Sequence, residues 1–184
     1  MEFEIIETER LKLKKYTPDG FKYIFDNFPD DYIKRELGIY NEDEFIKEKQ
    51  KVAGGYTTYD RSIAQFKLIQ KDTNEVIGGA GFHNWFFHHK KAELGYALTK
   101  EEAKNKGYMS EAVKAILAYG FNNMNLNRIE ACIGPNNAAS LRLIKKFSFI
   151  QEGYLRQHFI RDNEIQDSLI FSLLREDYFK ENTE

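Results

Sequence analysis

The stretch that most constrains this chain runs from Glu93 to Ser140. Ala92 to Leu98 reads as a strand, Lys104-Asn105-Lys106-Gly107-Tyr108-Met109 as a short basic turn, and Gly107 to about Asn123 as a helix. Arg128 to Gly134 is a second strand, and Asn137-Ala138-Ala139-Ser140 opens another helix running to Phe147. A strand–helix–strand crossover of this length places its two strands parallel and right-handed. A turn that feeds a helix leaves backbone N–H groups without protein partners. The helix N-terminus carries roughly half a positive charge, so such a spot attracts phosphate.

The remaining segments predict mixed β and α with mostly antiparallel neighbours. Arg10 to Tyr16 alternates as a strand. Thr17 caps a helix that has Pro18 at its first position and a stripe of Phe21, Ile24, Phe25 and Phe28. Residues 30–40 carry no decisive pattern. Asn41 caps a second helix with early acids, to about Val52, which Gly54-Gly55 ends. Ser62 to Gln70 and Val76 to His83 form a hairpin around Asp72-Thr73-Asn74. Phe149 to Phe159 and Ile165 to Leu174 form another around Asp162-Asn163.

The 184 residues suit one domain spanning 1–184, and 42% hydrophobic with 15% aromatic residues can build a substantial core. A net charge of −2 argues against a dedicated nucleic-acid binder. No apolar run reaches the roughly 20 residues that span a bilayer, and the acidic start Met1-Glu2-Phe3-Glu4 lacks a secretory core. The expected compartment is the cytoplasm. Cys132, the single cysteine, excludes an internal disulfide and reads as a small buried strand residue. Gly78-Gly79-Ala80-Gly81 lies inside a strand and opens no helix, so it is not a dinucleotide fingerprint. Adjacent His88 and His89 point to opposite faces of a strand, a poor metal pair, and no metal is expected.

Ala92-Glu93-Leu94-Gly95-Tyr96-Ala97-Leu98, then Gly107-Tyr108-Met109-Ser110-Glu111-Ala112, then Asn137-Ala138-Ala139-Ser140-Leu141-Arg142 resemble the GNAT N-acetyltransferase superfamily. Within it they resemble the RimJ/RimL branch, which acetylates N-termini of ribosomal proteins. Glu152-Gly153-Tyr154-Leu155-Arg156 and the segment from Asp167 to Leu174 fit that branch too, so the resemblance runs from about Thr8 to Asp177. It implies an α+β fold: a twisted, mostly antiparallel sheet of six to seven strands, helices on both faces, and a splayed parallel pair. It implies acetyl-coenzyme A as co-substrate, with its pyrophosphate on the N–H groups of Lys104, Asn105, Lys106, Gly107, Tyr108 and Met109. The pantetheine arm would pair with Ala97, Leu98 and Thr99, the Leu98 N–H meeting the thioester carbonyl.

The resemblance also supplies roles for side chains, each with a plainer reading beside it. Asn137 bonds the cofactor's arm, or caps the helix. Ser140 protonates the departing thiolate, or bonds local backbone. Glu93 takes the acceptor's proton, directly or through a water, or is a solvated strand residue. Asp167 orients the acceptor site or bonds backbone. Trp85-Phe86-Phe87-His88-His89 reads as an aromatic loop that walls the acceptor groove, forms a dimer patch, or packs locally on the sheet. The acidic helix 41–48 attracts a basic acceptor or complements its own dipole.

Lys104 stands where the family has Gln or Arg, and Met109 where it has a small residue. Phe147-Ser148-Phe149 replaces the family's Leu-Gly-Phe, which puts a serine where a left-handed residue ends the helix. The expected activity is direct acetyl transfer to a primary amine, an N-terminal α-amine of the ribosomal-protein type in the first place. A small-molecule amine (polyamine, amino acid or antibiotic) and a non-catalytic coenzyme A sensor are the alternatives. The expected assembly is a monomer or homodimer, with no nucleic acid or membrane partner.

Overall fold

The computed structural model describes residues 1–58, 60–161 and 163–181. Eight strands form one sheet in the order β1-β2-β3-β4-β5-β6-β8-β7. They are β1 (Ile5–Glu7), β2 (Leu11–Tyr16), β3 (Arg61–Gln70), β4 (Val76–Phe86), β5 (Lys91–Leu98), β6 (Arg128–Ile133), β7 (Ile150–Arg161) and β8 (Glu164–Leu174). The helices are α1 (Pro18–Asn27), α2 (Asp30–Leu37), α3 (Glu42–Gly54), α4 (Tyr108–Asn122), α5 (Ala138–Lys146) and α6 (Arg175–Glu181). Among the described residues no helix is long and apolar enough to cross a membrane.

Six to seven strands are expected from the sequence and eight are present. The addition is β1, three residues that extend the sheet by pairing with β2. It is too short and too exposed to carry a period-2 signal. The undecided stretch 30–40 holds α2, whose acids lie in the first turn and whose last carbonyls are closed by Gly38 in the left-handed conformation. Asp162 of the last hairpin's turn lies outside the described residues, and Asn163 next to it has φ 63°.

Alternation along the strands sorts the two faces. Phe66 and Leu68 of β3, Ala92 and Leu94 of β5, and Ile129, Ala131 and Ile133 of β6 pack with Val113, Ile116 and Leu117 of α4 and Ile144 of α5. On the opposite face Tyr16 and Ile63 pack with Phe21, Ile24, Ile33, Leu37 and Phe45 of α1, α2 and α3. Each fully buried Leu, Ile or Phe contributes about 1.5–3 kcal/mol, so both helical layers are held by apolar burial. Thr17 caps α1 by accepting from the Gly20 N–H, and Asn41 caps α3 by accepting from Asp43 and Glu44.

The parallel pair sits at the centre of the sheet. β5 and β6 are in register only at Lys91–Arg128, Ala92–Ile129 and Glu93–Glu130. Beyond Glu93 they part, while β5 stays paired with β4 as far as Leu98 and β6 with β8 as far as Ile133. A wedge therefore opens in the sheet along residues 94–98.

Candidate active site at the splayed strands

The Thr99 N–H bonds to the Ile77 carbonyl at 3.0 Å. Backbone groups alternate sides along an antiparallel strand. Odd-numbered residues of β5 therefore turn their N–H and C=O to β4, and Tyr96 and Leu98 turn theirs into the wedge. Of the trio Ala97, Leu98 and Thr99, only Leu98 offers its amide to the opening. Ala97 contributes an exposed methyl, and Thr99 has spent its N–H on Ile77.

The basic turn lies where α4 begins. A 3₁₀ turn at Glu101–Ala103 leads into it, and Asn105 (φ 58°) and Gly107 (φ 83°) are both left-handed. Left-handed residues interleaved in this way curl successive N–H groups toward one point, the geometry of an anion nest. α4 has no side-chain cap, and its first backbone bond is from Glu111 N–H to the Gly107 carbonyl, at 3.0 Å. Among the described bonds none takes the N–H groups of Gly107, Tyr108, Met109 or Ser110. Lys106 is exposed beside them; Lys104 is also exposed and pairs with Glu101. Met109 turns its side chain toward the core.

Residues that sequence reasoning passed over brace this turn. Glu111 accepts from the Thr8 hydroxyl at 2.6 Å and from the Arg10 N–H and Nε at 2.7 Å. Arg10 in turn donates to the Lys106 carbonyl at 3.0 Å and lies over the Tyr108 ring, 4.5 Å from its centroid. A pair separated by a hundred residues leaves no local pattern to read. The structure thus leaves these main-chain amides without partners among the described residues, in basic surroundings that fit a diphosphate.

Across the wedge, the Asn137 side chain caps α5 by accepting from the Ser140 N–H at 3.1 Å. Ser140 is half-buried and faces Tyr96, whose buried hydroxyl has no hydrogen bond of normal geometry among the described groups. Burial raises the Tyr96 pKa, and Ser140 partly offsets it. Asp167 accepts from the Gln157 N–H at 2.6 Å and from the Tyr154 hydroxyl. It borders a cavity of about 660 Å³ that Asn137 also lines.

Glu93 projects to the face opposite α4. His83 Nε2 lies 3.2 Å from its Oε1, and Asn84 donates to its Oε2 at 3.0 Å. Bonding to His83 above all, against the opposing effect of burial, holds its pKa down at about 2, with Asn84 and Cys132 assisting. Cys132, half-buried on the same face, is pushed up to about 12 by burial and by Glu93. Its thiol stays protonated near neutrality and is no nucleophile. The aromatic segment is less of a loop than the sequence suggests. Trp85 and Phe86 continue β4, Trp85 packs on the core and against Phe87 at 4.6 Å, and Phe87 is exposed. Among the described residues no cluster of three or more His, Cys, Asp or Glu could hold a metal.

A family model described as acetyltransferase (GNAT) domain matches residues 10–150, which include the wedge, the nest and the α5 entry. The chain belongs to the GNAT acetyltransferases. It is 32% identical over 174 residues to the uncharacterized N-acetyltransferase YoaA of Bacillus subtilis (strain 168), covering 94% of this chain and 98% of that protein. It is 31% identical over 120 residues to the [ribosomal protein uS5]-alanine N-acetyltransferase of Escherichia coli (strain K12), covering 64% of this chain and 60% of that one. Among solved structures, the GNAT-family acetyltransferase from Bacillus anthracis superposes with a TM-score of 0.66 at 28% identity, covering 94% and 99% of the two chains. The fold is the GNAT fold and the protein is an acetyltransferase. Members of the family draw the acetyl group from acetyl-coenzyme A.

Proposed function

We propose that this GNAT acetyltransferase acetylates an α-amine, in the first place at a protein N-terminus, by direct attack on acetyl-coenzyme A. One observation carries the choice of amine. Glu93 stands in the last row in which β5 and β6 pair, at the head of the wedge, and a group held at about 2 is a weak proton acceptor. An α-amine titrates near 8 and a lysine near 10.4, so the α-amine sheds its proton with little help. The likeness to the uS5-alanine N-acetyltransferase supports the same reading.

In this reading the pyrophosphate rests on the nest from Lys104 to Met109, with Lys106 and Arg10 adding positive charge. The thioester carbonyl accepts from the Leu98 N–H. The amine nitrogen attacks the carbonyl carbon, the C–S bond breaks, and the thiolate leaves with a proton from Ser140, whose hydroxyl regains a proton from solvent. The proton lost by the amine passes to a water ordered by Glu93 and His83. Asn137 serves as the α5 cap and as a contact for the cofactor's arm.

A thiol-release assay tests this, using peptides with a free N-terminus and matched N-acetylated peptides that keep a lysine. Turnover on the free N-termini alone is expected, with kcat/KM rising toward pH 8. Turnover on the lysine peptides alone overturns the choice of amine, and none on any amine overturns the transfer.

A further inference from the structure

A groove of about 440 Å³ lies on the α2–α3 face of the sheet and runs up to the wedge through Gly95, Tyr96 and Ala97. Its floor follows from strand register. Lys67 of β3 pairs with Gly79 of β4, and Gly79 with Ala97 of β5. These three share one row and one face. The next row holds Gln65, Gly81 and Gly95, and the one after it the His83–Glu93 pair. Two strand spacings, about 9.5 Å, separate Lys67 from Ala97. The only residue between them has no side chain.

Gly79 is not there for want of room in the backbone. A Cβ built on it meets a single neighbour, the Phe66 carbonyl oxygen, at 3.4 Å. At Gly81 the same atom would strike the Ala64 carbonyl oxygen at 2.4 Å. Gly81 is demanded by packing, whereas Gly79 keeps open the space between Lys67 and the wedge.

Lys67 is half-buried and has no ion pair or hydrogen bond among the described residues. The other charges around it are Glu44, Lys47, Glu48 and Lys51 of α3 and, directly opposite it on β2, Lys14, whose own charge is taken by Glu36 of α2. Glu48 is already engaged, by Lys51 at 3.2 Å and by the Tyr56 hydroxyl. Burial lowers the Lys67 pKa, Lys51 adds to the effect, and Glu48 and Glu44 offset it only in part. A desolvated ammonium with no direct ion-pair partner is costly unless something pairs with it.

We propose that Lys67 is the acceptor-specificity residue: it binds a carboxylate carried by the amine substrate, across the gap left by Gly79, with the amine at the wedge. This rests on the acetyl-transfer reading and names its substrate class: α-amines with a carboxylate close by, and not polyamines. The carboxylate is either the amino acid's own or an acidic side chain next to a peptide N-terminus.

The test measures kcat/KM, referred to the unprotonated amine, for two pairs, alanine against alaninamide and Ala-Glu-Ala-amide against Ala-Gln-Ala-amide, with spermidine as the cationic probe. The carboxylate member of at least one pair is expected to win by about 10- to 100-fold, the scale of one charged hydrogen bond. Which pair responds identifies the source of the carboxylate. Lys67→Met should erase that ratio through acceptor KM, leaving KM for acetyl-coenzyme A within about twofold. Lys67→Arg should keep the ratio, and Lys67→Glu should turn the preference toward spermidine. Ratios near one in the wild type overturn the proposal, even if Lys67→Met fails to fold. So does a ratio that survives in a folded Lys67→Met enzyme. In both cases continuing thiol release leaves the transfer reading standing, whereas no release with any amine removes both.

Discussion

At the scale of single residues, Glu93 is the position where the amino-acid type and its surroundings pull apart. Its place at the head of the central strand is legible in sequence. That His83 and Asn84 hold it at about 2 is not, because the three meet only across the β4–β5 register. Glu93→Gln, which disturbs only the ordering of the proton-accepting water, should lower kcat by less than about 100-fold, the low end of general acid–base contributions. KM for acetyl-coenzyme A should hardly move, and the acid limb of kcat/KM should stay where it is, since Glu93 is ionised throughout the working range. Stability carries the complementary signature. A carboxylate whose folded pKa lies below its unfolded value stabilises at pH above the unfolded one, about 4.5, and loses that contribution as pH falls toward 2. Melting curves of Glu93→Gln should lack this part of the acid decline. Asn137→Ala separates two roles at one site. Loss of the cap costs about 0.5–2 kcal/mol. A contact with the cofactor's arm predicts in addition a weaker coenzyme A affinity in calorimetry, and unchanged affinity reduces Asn137 to its cap.

At the scale of elements, the parts that announced themselves were those with local chemistry. Thr17 with Pro18, Asn41 with its acids, and the glycine turn before α4 each put a cap, a charge or a φ preference into consecutive residues. What stayed hidden depends on partners far along the chain. β1 exists because β2 offers an edge, and the 30–40 stretch folds as α2 because Ile33 and Leu37 find the α1–α3 layer. The end of α5 shows a local rule broken. Ser148 follows the helix at φ 56°, donating its N–H to the Lys145 carbonyl at 3.1 Å, while Phe149 bonds back to Ile144 at 3.3 Å. A non-glycine residue in that conformation costs about 1–2 kcal/mol. Ser148→Gly should raise stability by about 1 kcal/mol after glycine's own entropic cost. In a chain of this size that is about 2–4 °C in a thermal melt, with turnover unaltered. A fall in Tm would mean the serine makes a compensating bond.

At the scale of the whole molecule, the sheet is continuous except where β5 leaves β6, and the nest and the α5 cap flank that interruption. Coenzyme A at 100 times its Kd should stabilise the fold by about 2.7 kcal/mol by mass action, read as an upward Tm shift. No shift at millimolar ligand would leave the wedge and nest without a ligand. The Tyr96 and Leu98 amides, which exchange freely when the wedge is open, should become protected as coenzyme A is added. The interrupted seam has an evolutionary consequence. If, as proposed, the donor is held mainly by peptide groups and by side chains away from the α2–α3 face, mutation can rewrite the Lys67 groove repeatedly without forfeiting the acetyl source. Relatives sharing about a third of their residues can then keep one chemistry while diverging in the amines they serve.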